Sequence, residues 1–235
     1  EYVGQETAVV KIAVNDGKAI KNDLIYGSVS GKKVDEDGNA LGGAMIGLFR
    51  TDDGEFTKEN ALMTTTSAEE GSFSFENIPC GTWYVREIEQ PTGFVLDDTI
   101  YPVTIGTDGQ VVEIEIVNEY GRGNIHLTKV DSEYPDNKLT GAVFEVYKDS
   151  NNNGKLDDSD ELLGTLTEKE IGEYGMNDLF YGRYFIKETK APDGFVLDTD
   201  VYEVVIDTDG KTYDVENKAG VGFINEVMRG NLKIV

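Results

Sequence analysis

The hydrophobic positions of the chain occur in short alternating rows that predict β-strands. The clearest rows open a twelve-residue stretch that occurs twice, WYVREIEQPTGF from Trp83 to Phe94 and YFIKETKAPDGF from Tyr184 to Phe195. Every second residue of such a row shares one face, because side chains alternate along a strand. The Pro-x-Gly that follows each row predicts a turn. Each stretch is therefore expected to be a strand followed by a turn.

An acidic residue ends each of these apolar rows. Glu87 continues the face of Trp83 and Val85, and Glu188 has the same place in the second stretch. A lone ionised carboxylate at an inward position is very costly. We therefore expect each glutamate to be protonated or to have a partner from elsewhere in the chain.

Further landmarks recur and divide the chain into modules. The run Gly27–Asp35 matches Gly123–Asp131, Leu-x-Gly-Ala occurs at 41–44 and 139–142, and Asn-Glu occurs at 118–119 and 225–226. The repeat is about a hundred residues long, which is the size of one β-sandwich. The pattern predicts an all-β protein of tandem Ig-like sandwiches, with modules at residues 26–121 and 122–228.

Both ends of the chain resemble parts of further modules. Residues 1–25 resemble the closing strands of a preceding module, and residues 229–235 resemble the start of a following one. The alternative for residues 1–25 is an extra strand on the first module. The connections between modules are short, which predicts a semi-rigid rod.

Within a module, the expected order is an opening strand, a second strand, a variable middle, the repeated stretch and two final strands. In the middle of the first module we expect a strand at 72–75 and a short helix within residues 57–69. In the closing strand of the second module, Val221, Phe223 and Asn225 are expected to share one face.

Partners for the glutamates follow from the strand faces. A lysine continues the apolar row of each opening strand, and an asparagine continues that of each closing strand. Three polar residues at inward positions break the usual pattern in both modules. The two sets are Lys33, Glu87 and Asn118, and Lys129, Glu188 and Asn225.

Two interpretations of each set remain open. The first is a buried Lys–Glu pair whose hydrogen bonds are completed by the asparagine. The second is chemical, because burial favours a neutral nucleophilic amine and a protonated carboxyl group. Attack of the amine on the carboxamide, with loss of ammonia, would leave a Lys–Asn amide cross-link.

Composition excludes several classes of partner. The net charge of -24, from 45 acidic and 21 basic residues, disfavours nucleic acid and anionic membrane surfaces. No apolar run is long enough for membrane insertion. One cysteine, Cys80, excludes an intrachain disulfide.

His126 is expected at the surface. No nucleophile, base and oxyanion donor fall together in the pattern, so we expect no enzyme of repeated turnover.

A second candidate site lies between the second and third strands of the second module. The run from 149 to 160 follows a calcium-loop pattern of oxygen ligands with glycine at its sixth position. Aspartate stands where the last ligand is usually glutamate. The alternative is an acidic hairpin turn without an ion. The expected ligands are Asp149, Asn151, Asn153, the backbone carbonyl of Lys155, Asp157 and Asp160.

The two twelve-residue stretches, the Lys-Val-Asp openings, the Leu-x-Gly-Ala runs and the terminal Asn-Glu pairs together resemble the collagen-adhesin B-type (Cna B-type, prealbumin-like, SpaA-type) repeats of Gram-positive surface adhesins and pilins. The resemblance covers essentially the whole chain. The first module departs from the family pattern at Gly31, Ile88 and Gln90.

This resemblance implies a self-forming isopeptide bond between the first and last strands of each module, from Lys33 to Asn118 and from Lys129 to Asn225. Glu87 and Glu188 would assist as acids, and bond formation would need no cofactor. It also implies a secreted, cell-wall-attached structural stalk whose partners are neighbouring modules of the same chain. The alternatives are an adhesive module that binds a host protein or glycan, and an accessory domain of a secreted enzyme.

Overall fold

A computed structural model describes residues 23–230, and this part of the chain folds into sixteen β-strands without a helix. The strands form two tandem modules that are joined near residue 121. The expected all-β tandem architecture is confirmed. The predictions for residues 1–22 and 231–235 lie outside the described residues.

The first module contains seven strands. They are β1 (Tyr26–Asp35), β2 (Met45–Phe49), β3 (Met63–Thr66), β4 (Ser72–Pro79), β5 (Gly81–Glu89), β6 (Tyr101–Ile105) and β7 (Gln110–Asn118). One sheet has the order β4-β1-β7 and the other has the order β3-β2-β5-β6.

The second module repeats this plan with nine strands. They are β8 (Arg122–Asp131), β9 (Val143–Lys148), β10 (Glu161–Thr165), β11 (Thr167–Glu170), β12 (Glu173–Phe180), β13 (Gly182–Lys190), β14 (Val201–Ile206), β15 (Thr212–Asp214) and β16 (Phe223–Asn225). The sheets have the orders β11-β12-β8-β15 and β10-β9-β13-β14, and β16 also pairs with β8.

The first and last strands of each module lie side by side and run parallel, whereas the other strand pairs are antiparallel. In the first module Lys33 is opposite Ile116, and Asp35 is opposite Asn118. In the second module Lys129 is opposite Phe223. The lysine and the asparagine of each set are therefore two positions apart on the same face of one sheet.

The two sheets of each module enclose an apolar core. Val29 of β1 and Trp83 and Val85 of β5 are buried in the first core, as the alternating rows predict. In the second core the Phe144 ring packs edge-to-face against Phe223, with 4.9 Å between ring centroids. Full burial of one such side chain stabilises the fold by about 1.5–3 kcal/mol.

The short helix expected within residues 57–69 is absent from the structure. Backbone bonds from Asn60 and Ala61 to the Thr57 carbonyl make one turn, and the chain then enters β3. Thr64, Thr65 and Thr66 pair with β2. Three consecutive β-branched residues fit a strand better than a helix, and the neighbouring strand β2 supplies the hydrogen bonds.

The closing strand of the second module is interrupted, which the sequence pattern did not predict. Asp214 of β15 pairs with His126, which lies 88 positions earlier in the sequence. Phe223 of β16 pairs with Lys129, which lies 94 positions earlier. Six residues are therefore looped out between β15 and β16. Val221 lies in this loop, at a turn with Gly222 at φ 122°, and only Phe223 and Asn225 of the expected row belong to the strand.

Aromatic and ionic contacts link the two modules at their junction. Tyr120 lies 5.3 Å from Phe180, measured between ring centroids, and Arg122 forms an ion pair with Glu36. The Tyr181 amide donates to the Gly121 carbonyl at 2.8 Å. A side-chain carbon at position 121 would collide with the Tyr181 ring, so this close approach requires glycine.

Candidate functional site

Each predicted lysine, glutamate and asparagine set meets in the core of its module. In the first module β1 and β7 of one sheet supply Lys33 and Asn118, while β5 of the facing sheet supplies Glu87. The exposed fractions of these residues are 0%, 1% and 1%. The structure therefore brings together three polar side chains that lie far apart in the sequence.

The glutamate of the first module lies between the amine and the carboxamide. Its Oε2 accepts a hydrogen bond from Asn118 Nδ2 at 2.6 Å, and its Oε1 is 3.9 Å from Lys33 Nζ. The amine donates to the Ile116 carbonyl at 3.2 Å. One carboxyl group thus contacts the nitrogen that would attack in an amide-forming reaction and the nitrogen that would leave.

The second module repeats the asparagine contact and the backbone contact of the amine. Asn225 Nδ2 donates to Glu188 Oε2 at 2.9 Å, and Lys129 Nζ donates to the Phe223 carbonyl at 3.0 Å. The Phe223 ring centroid lies 5.4 Å from the same amine. Ile116 has the equivalent place in the first module, so the second amine has an aromatic neighbour that the first lacks.

Four oxygen atoms of these sets are buried without a hydrogen-bond partner. They are Glu87 Oε1, Asn118 Oδ1, Glu188 Oε1 and Asn225 Oδ1. An unsatisfied buried polar atom costs about 1–3 kcal/mol. Each set therefore leaves one carboxyl oxygen and one carboxamide oxygen unsatisfied in its core.

Burial moves the pKa values of the lysines and glutamates towards their uncharged forms. Loss of solvation lowers the pKa of Lys33, and it lowers the pKa of Lys129 to about 8. The same cause raises the pKa of Glu87 and of Glu188. The charges of the partners oppose these shifts but do not reverse them. A neutral amine next to a protonated carboxyl group is the combination needed for nucleophilic attack.

A glycine turn holds the backbone of each lysine. The Lys33 amide donates to the Gly71 carbonyl at 2.7 Å, and the Lys129 amide donates to the Gly172 carbonyl at 2.7 Å. The two glycines have φ values of 79° and 71°, which favour glycine over other residues. The turn before β4, and before β12, thereby fixes the strand position from which the amine projects.

An aspartate and a tyrosine also belong to each site, and the sequence interpretation missed them. The Asp97 amide donates to Glu87 Oε2 at 2.8 Å, and its carboxylate accepts from the Tyr101 hydroxyl at 2.6 Å. Asp198 and Tyr202 repeat both contacts. The repeat of Phe-Val-Leu-Asp and a tyrosine four residues later, at 94–101 and 195–202, is the signal that could have identified them.

The predicted calcium loop connects β9 to β10, which are the second and third strands of the module, as expected. The Asp149 carboxylate is buried, accepts from the Asn153 and Gly154 amides at 3.1 and 3.0 Å, and lies 3.6 Å from Arg183 Nε. Asn151 and Asn153 donate their side-chain amides to Asp157. Oxygen donors of the right type are present, but internal hydrogen bonds and one cation occupy several of them.

Other titratable clusters have structural contacts. His126 lies between Asp214 at 2.6 Å and Glu173 at 2.8 Å on the outer face of β8.

Between residues 23 and 230, no group of three or more His, Cys, Asp or Glu side chains is placed to hold a metal ion. In the same part of the chain no helix has the length and apolarity of a membrane span. Cys80 is exposed.

The fold and the repeated polar sets define a protein of tandem prealbumin-like β-sandwich modules. The model of the SpaA family, described as a prealbumin-like fold domain, matches residues 27–120 and 123–219. The chain therefore belongs to this family, and the resemblance inferred from its motifs is confirmed.

Individual proteins show the same relationship over parts of their length. The chain is 36% identical over 80 residues to the trypsin-resistant surface T6 protein of Streptococcus pyogenes serotype M6, which is 34% of this chain and 13% of that protein. It is similar to the Bacillus anthracis TIE protein at a TM-score of 0.68 and 26% identity, over 86% of this chain and 34% of that one. The chain thus spans about a third or less of these two relatives.

Proposed function

We propose that the chain is a structural part of a Gram-positive surface or pilus-like protein, in which each module is closed by an isopeptide bond. The bonds join Lys33 to Asn118 and Lys129 to Asn225. The observation that carries this proposal is the position of Glu87, which contacts the attacking amine on one oxygen and the leaving nitrogen on the other. The contact with the leaving nitrogen recurs in the second module, which supports the same role for Glu188.

The proposed reaction is a single self-modification. The neutral amine of Lys33 attacks Cγ of Asn118, and a new C–N bond forms while the bond from Cγ to Nδ2 breaks. One amine proton passes to Glu87 Oε1. Attack makes Cγ tetrahedral and gives Nδ2, which donates to Oε2 before the reaction, a free electron pair. Nδ2 then takes the carboxyl proton from Oε2 and leaves as ammonia. The carboxyl group ends in its starting state, so no cofactor or co-reactant is consumed. The fold holds the reacting groups together, which replaces an external enzyme.

The parallel first and last strands give the bond a mechanical role. Tension that enters through β1 would cross the amide to β7 and leave the module without loading the strands between. The same path exists from β8 to β16. We propose that the modules act as inextensible spacers outside the cell, with neighbouring modules as their partners. The surface location of the T6 protein, stated in its name, supports this location.

Intact mass under denaturing conditions tests both bonds. The parent protein, without substitutions, is expected to weigh about 34 Da less than the mass of its sequence, because each amide formed releases one ammonia molecule. Lys33→Met and Lys129→Met should each recover about 17 Da, and the double variant should recover the full sequence mass. A measured mass of the parent protein equal to its sequence mass would contradict the proposal.

We also propose that the 149–160 loop binds calcium weakly. Binding would require the Asn151 and Asn153 side chains to turn their oxygens to the ion, in place of the amide contacts to Asp157. Extracellular calcium modules have dissociation constants of roughly 0.1–1 mM. Calcium at ten times such a constant should stabilise the second module by about 1.4 kcal/mol, measured as a rise in its Tm.

The matched control is Asp157→Asn, which removes one carboxylate and keeps the size of the side chain. The calcium-dependent rise in Tm should disappear in this variant, and magnesium should not produce it in the parent protein. An unchanged Tm of the parent protein in calcium would show that the loop is an acidic turn.

A further inference from the structure

The loop before β6 contacts two members of the first polar set at once. The Asp97 amide donates to Glu87 Oε2 at 2.8 Å, and the Val95 carbonyl accepts from Asn118 Nδ2 at 2.6 Å. The Val95 amide also donates to the Glu119 carbonyl at 2.9 Å. The position of this loop therefore sets the position of the carboxyl group relative to the leaving nitrogen.

The Asp97 side chain fixes the loop. Its Oδ1 accepts from the Thr99 amide at 3.0 Å, and its Oδ2 accepts from the Tyr101 hydroxyl at 2.6 Å. Tyr101 is the first residue of β6 and is paired with Val85 of β5, the strand that carries Glu87. Tyr101 thus connects the loop before β6 to β5, the strand that carries Glu87.

The second module contains the same device. The Asp198 amide donates to Glu188 Oε2 at 2.9 Å, its Oδ1 accepts from the Asp200 amide at 2.9 Å, and its Oδ2 accepts from the Tyr202 hydroxyl at 2.7 Å. Asn217, from the looped-out segment, adds a bond to Oδ2 at 2.8 Å. The tyrosine and aspartate contacts persist although the closing strands of the two modules differ.

We propose that Asp97 with Tyr101, and Asp198 with Tyr202, are positioning residues for amide formation, holding the glutamate carboxyl group against the asparagine nitrogen. This inference rests on the cross-link proposed above. None of these four side chains exchanges a proton in the reaction. They act through the backbone amide that contacts Oε2 and, in the first module, through the carbonyl that contacts Nδ2.

Electrostatics support the same role. Burial raises the pKa of Glu87, and the charge of the nearby Asp97 carboxylate adds to that rise. Asp198 acts on Glu188 in the same direction. A carboxylate close to the acid favours the protonated form, from which the leaving nitrogen takes its proton.

The test is the rate of bond formation in newly made protein. A Lys33→Met background leaves only the second bond, so that one mass change of about 17 Da reports on one module. Cell-free synthesis is stopped by denaturant at timed intervals, and intact mass gives the cross-linked fraction. Tyr202→Phe is expected to slow the mass loss about tenfold or more, because small misplacements of reacting groups have effects of this size.

Tyr213→Phe is the matched control. Its hydroxyl donates to the Asp207 carboxylate at 2.7 Å in the same module, and that pair does not contact Glu188. The control should cross-link at the rate of the background protein. Asp198→Asn should retain more of the rate than Asp198→Ala, because its amide oxygen can still accept part of the three bonds that the carboxylate accepts. The folded fraction is followed in parallel by circular dichroism.

Each result has a distinct meaning. A background rate in Tyr202→Phe would overturn the positioning role, and so would a slowing matched by an equal loss of folded protein. Full mass in the Lys33→Met background itself would overturn the cross-link in the second module, and with it this inference. A slow but complete mass loss in folded Tyr202→Phe is the result expected here.

Discussion

Lys129→Met is expected to lower the free energy of unfolding of the second module by about 4–5 kcal/mol, because the cross-link closes a loop of about a hundred residues. For a module of this size such a loss corresponds to a fall in Tm of roughly 20 °C or more. Methionine keeps most of the volume of the lysine side chain, so little of the loss comes from a cavity. Differential scanning calorimetry measures the transition of each module.

The pH of this measurement matters, because Glu188 is buried beside a neutral group in both proteins, the amide in the cross-linked parent protein and methionine in the variant. Burial raises the pKa of Glu188. A raised pKa in the folded state contributes stability below the unfolded-state pKa, and this contribution is lost as the pH rises through the folded-state pKa. Both proteins should therefore lose stability as the pH is raised, and a comparison near pH 4, where this contribution is present in both, isolates the effect of the bond.

Lys138→Met is the control for loss of a lysine. Lys138 is an exposed residue of the same module that pairs with Glu173 at the surface, so its replacement should cost less than about 1 kcal/mol. If Lys129→Met were as mild as this control at every pH, the second module would not be cross-linked.

Pulling the chain from its two ends is expected to leave the second module unextended at forces that unfold ordinary sandwiches. In Lys129→Met the same module should unfold and lengthen by on the order of 300 Å, since about a hundred residues would become extended at 3.3–3.6 Å each. Single-molecule force spectroscopy measures this step directly. The first module gives the same comparison through Lys33→Met.

The double variant Lys33→Met/Lys129→Met should show two steps of similar length, and the parent protein should show neither. A step of this length in the parent protein would mean that the strands between Lys129 and Asn225 carry the load. Tension would then pass through hydrogen bonds rather than through an amide. This result would contradict the mechanical role and, because an intact amide would prevent such a lengthening, the bond in that module as well.

The alternating pattern predicted much of the fold and the central members of the site. Lys33, Glu87 and Asn118 were recognisable because each continues an apolar row, and a polar residue at an inward position stands out against such a row. The repeat added weight, since Lys129, Glu188 and Asn225 break the second pattern in the same places. The turns at Pro91 and Pro192 followed from local residue preferences and are present as expected.

Other features are invisible to this pattern for physical reasons. Asp97 and Asp98 resemble an exposed turn in the pattern, because the contacts of Asp97 with Glu87 and Tyr101 exist only in the folded loop before β6. The interruption before β16 depends on tertiary pairing with β8, and no local preference marks it. Alternation identifies the face of a strand but not its neighbour, so β3 was mistaken for part of a helix.

The junction at Gly121 has a consequence for the reach of the molecule. Tyr181 packs against the glycine and Arg122 pairs with Glu36, so side chains of both sandwiches hold the junction together. Distance along the protein is then determined by the number of sandwiches rather than by the coiling of a linker. This ion pair is only partly shielded from solvent, so dissolved salt weakens it. The stiffness of the junction should therefore fall as the salt concentration of the surrounding fluid rises.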